Sequence, residues 1–212
     1  MDHVLWIGGG TCAGKTSIAD ILNARYDLRG YHCDDLFEEH RNRARPDKHP
    51  AFYSAMFTSY KELDWERFWM RPVEILLKEQ MAIYAEEFEM IIGDLLAMPR
   101  SRPIITEGSA LLPRCVKEVL AAPSAALWLI PEETFHRRMY QQRGSWVQDI
   151  LHQCADPQQA FDHWIRRDIV FAKHIASQTA RLGLKALTID GGRAIQENVR
   201  RVEAHFGEHL TF

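Results

Sequence analysis

Short apolar runs alternate with helical patterns along most of the chain. Residues 4–7 are apolar, glycines follow, and Ile18, Ile21 and Leu22 then recur at helical spacing, which reads as strand, loop and helix. That helix should stop before Gly30. Residues 31–33 predict a short second strand leading into Asp34-Asp35. Arg41, Arg43, Arg45 and Lys48 then fall in a stretch containing Pro and His, read as a surface loop or irregular helix. Asp64 should cap a short helix through Phe68, and Pro72 suits the first turn of the next. From Val73 to Leu95 apolar residues repeat every three or four positions, predicting one long amphipathic helix that ends near Met98-Pro99 and packs its stripe into the core.

The second half continues the alternation. Residues 103–106 predict a buried strand entering Glu107-Gly108, Pro113 opens a helix, and residues 125–130 predict a fourth strand. Pro131-Glu132-Glu133 should begin a helix carrying Arg137, Arg138 and Arg143. Asp156, Pro157 and Gln159 form a helix start, and Gly183 marks that helix's end. Residues 186–189 predict a fifth strand before Asp190-Gly191-Gly192, and a last helix should run from about Ala194 to Phe206. Strands alternating with helices imply a mostly parallel sheet covered on both faces, with ligands bound beyond the carboxyl ends of its strands. Those ends carry the glycine segment, Asp34-Asp35, Glu107-Gly108, Pro131 and Asp190-Gly191.

Length and charge narrow the picture. The 212 residues suit a single α/β domain. A net charge of -3 leaves no basic excess for nucleic acid or an anionic membrane, so phosphate binding has to be local. No stretch approaches the roughly 18 uncharged apolar residues that span a bilayer, and no targeting signal opens the chain. Cys12, Cys33, Cys115 and Cys154 form no CxxC or zinc pattern, so a reduced, cytoplasmic setting is expected. Cys12, near Lys15 and a helix start, is the one thiol with a route to a lowered pKa, although a small filler is the simpler role.

The strongest chemical signal is Gly9-Gly10-Thr11-Cys12-Ala13-Gly14-Lys15-Thr16, a full GxxxxGK[ST] phosphate loop between a strand and a helix. Its backbone N–H groups and the helix N-terminus, with Ser17 in the first turn, suit a triphosphate. Lys15 can bridge the β- and γ-phosphates, and Thr16 can ligate Mg²⁺. A kinase further needs a carboxylate at the attacking oxygen, and Asp34 or Asp35 can supply it; the sequence does not choose between them. Glu107 can reach Mg²⁺ through water or touch the acceptor, and Gly108 would allow close backbone approach.

With these residues in place, the chain resembles the P-loop kinases related to nucleoside monophosphate kinases, a group that includes shikimate and gluconate kinases, chloramphenicol phosphotransferase and 2-phosphoglycerate kinase. The order of elements carries the resemblance over nearly the whole chain; the phosphate loop is its specific part. It implies a three-layer fold with a parallel five-stranded sheet, use of ATP and Mg²⁺, and a helical lid at about residues 131–156. Arg137, Arg138 and Arg143 would then close over the transferring phosphoryl group, and Asp190 and Arg193 would lie in the loop that packs on adenine. Arg166 and Arg167 could return to the same phosphates or pair on the surface with Asp162 or Asp168.

The implied activity is transfer of a γ-phosphoryl group to a small acceptor by a monomer or homodimer. Arg41, Arg43, Arg45 and Lys48 would serve a mononucleotide. Phe37, Phe52, Tyr53, Phe57, Tyr60, Trp65 and Trp69 would suit a metabolite or nucleoside, the favoured class, though such aromatics also build cores. A regulatory or assembly ATPase is the other reading; it needs a water-positioning residue and a partner surface, and the sequence displays neither. His205 and His209 sit in a terminal helix interrupted by Gly207 and read as surface residues, not metal ligands.

Overall fold

Alternation within the strands decides which side of the sheet each side chain joins. In β1 (Val4–Gly9), Val4 and Trp6 point to one face while Leu5 and Ile7 point to the other, and all four are buried. The computed structural model describes residues 1–56 and 64–210. Its other strands are β2 (Arg29–His32), β3 (Ile104–Glu107), β4 (Ala126–Pro131) and β5 (Lys185–Ile189). All ladders are parallel and the order is β2-β3-β1-β4-β5, so the glycine loop leaves the central strand.

The helices are α1 (Lys15–Tyr26), α2 (Phe37–Arg43), α3 (Pro50–Met56), α4 (Trp65–Trp69), α5 (Val73–Ala97), α6 (Pro113–Val119), α7 (Glu133–Gln141), α8 (Ser145–Leu151), α9 (Pro157–Arg181) and α10 (Ile195–Phe206). On one face, Phe88, Ile91 and Leu95 of α5 and Phe171 and Ile175 of α9 cover Trp6, Ile104 and Trp128. On the other, Ile18 and Leu22 of α1 and Val199, Val202 and Phe206 of α10 cover Leu5, Ile7, Leu127 and Leu129. This is the expected three-layer arrangement. A third apolar cluster joins α4, α7, α8 and α9 through Trp69, Tyr140, Ile150 and Trp164.

Several predicted ends match their physical causes. The Asp64 carboxylate accepts from the Arg67 N–H at 2.9 Å, and Asp156 accepts from the Gln159 N–H at 2.9 Å with Pro157 in the first turn. Gly183, at φ 65°, follows α9. Other expectations need correction. Cys33 is not in the second strand but begins a one-turn 3-10 helix that contains Asp34 and Asp35. Arg41 and Arg43 lie on the regular helix α2, which turns His40 inward. Arg143 falls after the end of α7, not on it. Phe57 and Tyr60 lie outside the described residues.

His40 fixes α2 to α5. Its ring is fully buried, with Nδ1 3.1 Å from Glu87 Oε1 and Nε2 2.8 Å from Asp94 Oδ2; both oxygens accept, which calls for the doubly protonated ring. Tyr31 also donates to Asp94 at 2.9 Å, and Arg43 pairs with the other Asp94 oxygen at 2.6 Å. Burial alone would lower the His40 pKa, but its bonds to the two carboxylates outweigh that and raise it. Its stabilising contribution is therefore complete below the unfolded value of about 6.5 and is lost as pH rises through the folded value. Urea unfolding across pH 6 to 9 should show this decline. His40→Ala should flatten it and cost on the order of 3 kcal/mol, because two carboxylates lose their buried partner.

Candidate functional site

The strand ends converge because the parallel register puts Glu107 beside both Ile7 of β1 and His32 of β2. The phosphate loop then curls back over this edge. Gly9 holds φ 125°, and a Cβ there would lie 2.0 Å from the Leu129 carbonyl oxygen, so only glycine fits. Gly10 donates its N–H to the same carbonyl at 3.0 Å, and Gly14 takes φ 80° at the cap of α1. Ala13 is buried, while Thr16 and Ser17 remain exposed at the helix start.

Lys15 is buried, and its ammonium donates to the Gly10 carbonyl at 2.9 Å and to Ser109 Oγ at 3.3 Å. No carboxylate pairs with it among the described residues, so its charge stays available to an anion in the loop. Thr16 Oγ1 donates to Glu107 Oε1 at 3.0 Å. Glu107, 4% exposed, also receives His32 Nδ1 at 3.0 Å, and His32 Nε2 stands 3.3 Å from Asp20. Thr16 and Glu107 thus offer two hard oxygens at one point, which is the donor chemistry Mg²⁺ takes. Gly108 makes a close approach, but to Cys33: an added Cβ would sit 2.6 Å from that side chain.

Thr11 belongs to a network that the sequence did not reveal. Its hydroxyl donates to Asp168 Oδ2 at 3.1 Å and stands 2.9 Å from His136 Nε2. Since the one hydroxyl proton goes to Asp168, His136 must donate from Nε2, which leaves its buried Nδ1 without a partner among the described residues. Burial lowers the His136 pKa and keeps the ring neutral. Tyr140 donates to the same Asp168 oxygen, and Arg167 pairs with the other at 2.6 Å. The Arg167–Asp168 pair is therefore a buried support beneath the loop, not a surface pair. Cys12 takes φ 61°, and burial raises its thiol pKa, so it is a filler in the loop and not an activated nucleophile.

The expected lid arginines separate. Arg143 lies over the Tyr140 and Trp146 rings at 5.2 and 5.1 Å, and its charge, like that of Lys15, is felt at Cys12. Arg137 turns to Asp162 at 3.3 Å. Arg138 lies over Phe135, against Gly191, alongside the loop that holds Asp190 and Arg193. Arg193 pairs with Asp190 at 3.6 Å and with Glu197 at 2.9 Å, all exposed.

On the acceptor side, Asp34 and Asp35 are exposed, and α2 follows directly. A cavity of about 590 Å³ opens beside it, lined by Phe37 and Arg41 of α2, by Trp65 and Trp69, by Tyr84, and by Arg167. The Asp34 charge is felt at Tyr84, where it adds to burial in raising the phenol pKa. Two of the neighbouring arginines turn elsewhere, Arg43 to Asp94 and Arg45 to Asp47 at 2.7 Å. Phe52 is core, packed on Phe37. His205 and His209 bond to the Ala126 carbonyl and Ser124. No protein-family model matches the chain, and no curated protein matches it. Among solved structures the chain is similar to a shikimate kinase from Aquifex aeolicus (13% identity, TM-score 0.46, covering 99% of each chain). It is also similar to a gluconokinase from Sinorhizobium meliloti (15% identity, TM-score 0.45, covering 97% of this chain and 91% of that one) and to an uncharacterised protein from Eubacterium ventriosum (13% identity, TM-score 0.43, covering 96% and 97%).

Proposed function

We propose that this protein is an ATP-dependent kinase that transfers the γ-phosphoryl group to a hydroxyl of a small acceptor. One observation carries the reading: a complete phosphate loop holds an unneutralised Lys15, and an aromatic cavity opens beside α2, the helix that follows Asp34-Asp35. Loop N–H groups and Lys15 hold the triphosphate, and Thr16 with Glu107 would hold Mg²⁺, which when bound spreads the charge on the phosphoryl oxygens. Asp34 orients the acceptor O–H and takes its proton. The acceptor oxygen forms its bond to γ-phosphorus as the bond to the β–γ bridging oxygen breaks, releasing ADP. Arg143, whose charge is felt at Cys12 of the loop, would meet the charge that develops. The reading includes a cytoplasmic location, supported by four free cysteines.

ADP release from Mg-ATP, measured over a panel of hydroxyl compounds, tests the proposal. Acceptor-dependent turnover is expected; slow hydrolysis unchanged by every acceptor would overturn it. With a working acceptor, Asp34→Asn should lower kcat by roughly 10²–10⁴-fold while leaving ATP affinity near its original value. Asp35→Asn should have a much smaller effect, and the reverse ranking in steady-state kinetics would transfer the base to Asp35.

A further inference from the structure

Charge pairing within the acceptor cavity carries information about what it accepts. Among the described residues three arginines reach its walls, an arrangement that would suit a phosphate or carboxylate if their charges were free. Each already has an anionic partner. Arg71 makes a two-pronged pair with Glu79, with one contact at 3.1 Å. Arg41 meets Glu38 at 3.1 Å, and Arg167 meets Asp168 at 2.6 Å. Glu38 and Glu79 themselves line the cavity, so the compensation lies within its walls. Two of the guanidinium planes are also stacked: Arg71 lies 4.9 Å over Phe68 and Arg167 4.9 Å over Trp69.

Aromatic rings form much of the remaining wall. Trp69 stacks on Trp164 with centroids 4.5 Å apart and planes 12° from parallel. The polar shortfall of the fold gathers at the same place. The indole N–H groups of Trp69 and Trp164, Nε of Arg71 and Oε1 of Gln80 are buried in these walls without a hydrogen-bond partner among the described residues. Such groups are costly to leave unmet. The volume of about 590 Å³ suits a guest larger than a simple sugar acid.

We propose that the acceptor is a neutral hydroxyl compound with a flat, largely apolar body, of about nucleoside size, and not a phosphorylated or carboxylated metabolite. The inference rests on the kinase reading for the word acceptor, but the selectivity is a property of the cavity. Two matched pairs test it: thymidine with thymidine 5′-phosphate, and 3-phenylpropane-1,2-diol with 3-phenyllactate. Binding to the full chain loaded with Mg-ADP is read by calorimetry and by quenching of tryptophan fluorescence. The neutral member of each pair should bind at least about tenfold more tightly.

Glu79→Gln, which frees the charge of Arg71 at a partly exposed position, should narrow that ratio by about tenfold. A thermal melt checks that the variant is folded. Tighter binding of the anionic members, equal binding of both, no binding by any of the four, or an unchanged ratio in Glu79→Gln would each overturn the proposal. Selective binding of the neutral members together with no phosphoryl transfer to any of them would uphold the selectivity and sink the kinase reading instead.

Discussion

Lys15→Ala should remove phosphoryl transfer by at least about 10³-fold, equivalent to roughly 4 kcal/mol of transition-state stabilisation, while the protein stays folded. The ammonium has no carboxylate to neutralise it among the described residues; its bonds are to the Gly10 carbonyl and Ser109 Oγ, both neutral. A charge held in this way is aimed at the mouth of the loop and acts at full strength on a phosphoryl oxygen. Truncation leaves a carbonyl and a hydroxyl short of a donor, a modest loss that water entering the vacated space can meet. Circular dichroism and the melting temperature should therefore change little, while acceptor-dependent ADP release disappears. Turnover retained within tenfold of the original would remove the loop from the mechanism.

The phosphate loop was legible because its information is local. Glycines are required where the backbone takes φ 125° and 80°, the lysine follows at fixed spacing, and an apolar strand precedes it. The five strands were legible for a related reason: buried parallel strands are short apolar runs, and three of the five, β1, β3 and β4, are largely or wholly buried along their length. Helix α2 was harder. Glu38, Glu39, Arg41 and Arg43 give it a charged face, and only the buried His40 and the half-buried Phe37 mark its inner side, so the stretch reads as a surface loop. The partners that explain His40 lie 47 and 54 residues away on α5, beyond any local pattern.

The same limit governs the site. Asp34, Glu107, Thr16 and Arg143 could be nominated because strand ends and a basic stretch are visible in the sequence. Their surroundings were not visible: Arg137, Arg138 and Arg143 are equivalent in a sequence of charges but turn to Asp162, to the Gly191 loop and to the Tyr140 and Trp146 rings in space. His32, Ser109, His136 and Asp168 had no local signal at all. Asp168 follows two arginines in a helix with exposed charges, so in the sequence it was only a candidate surface partner for them. Its tertiary neighbours made it a buried support.

Asp168→Ala should be the most damaging change outside the loop itself, with a loss of about 3–5 kcal/mol of stability and a marked fall in ATP affinity. The carboxylate is 2% exposed and accepts from Thr11 of the phosphate loop, from Tyr140 of α7 and from Arg167 beside it. Removing it leaves a buried guanidinium without its anion and two hydroxyl donors without an acceptor, and each of these is costly in the interior. The network also joins the phosphate loop to α7, the helix that leads toward Arg143. Asp168→Asn keeps the shape and one acceptor oxygen but presents no charge to Arg167, so it should fall between Ala and the natural residue. If the support is only structural, stability will drop in both variants while ATP affinity per folded molecule stays constant. If Asp168 sets the loop conformation through Thr11, Thr11→Val should reproduce the loss of ATP affinity, measured by calorimetry on folded protein, with little of the loss in stability.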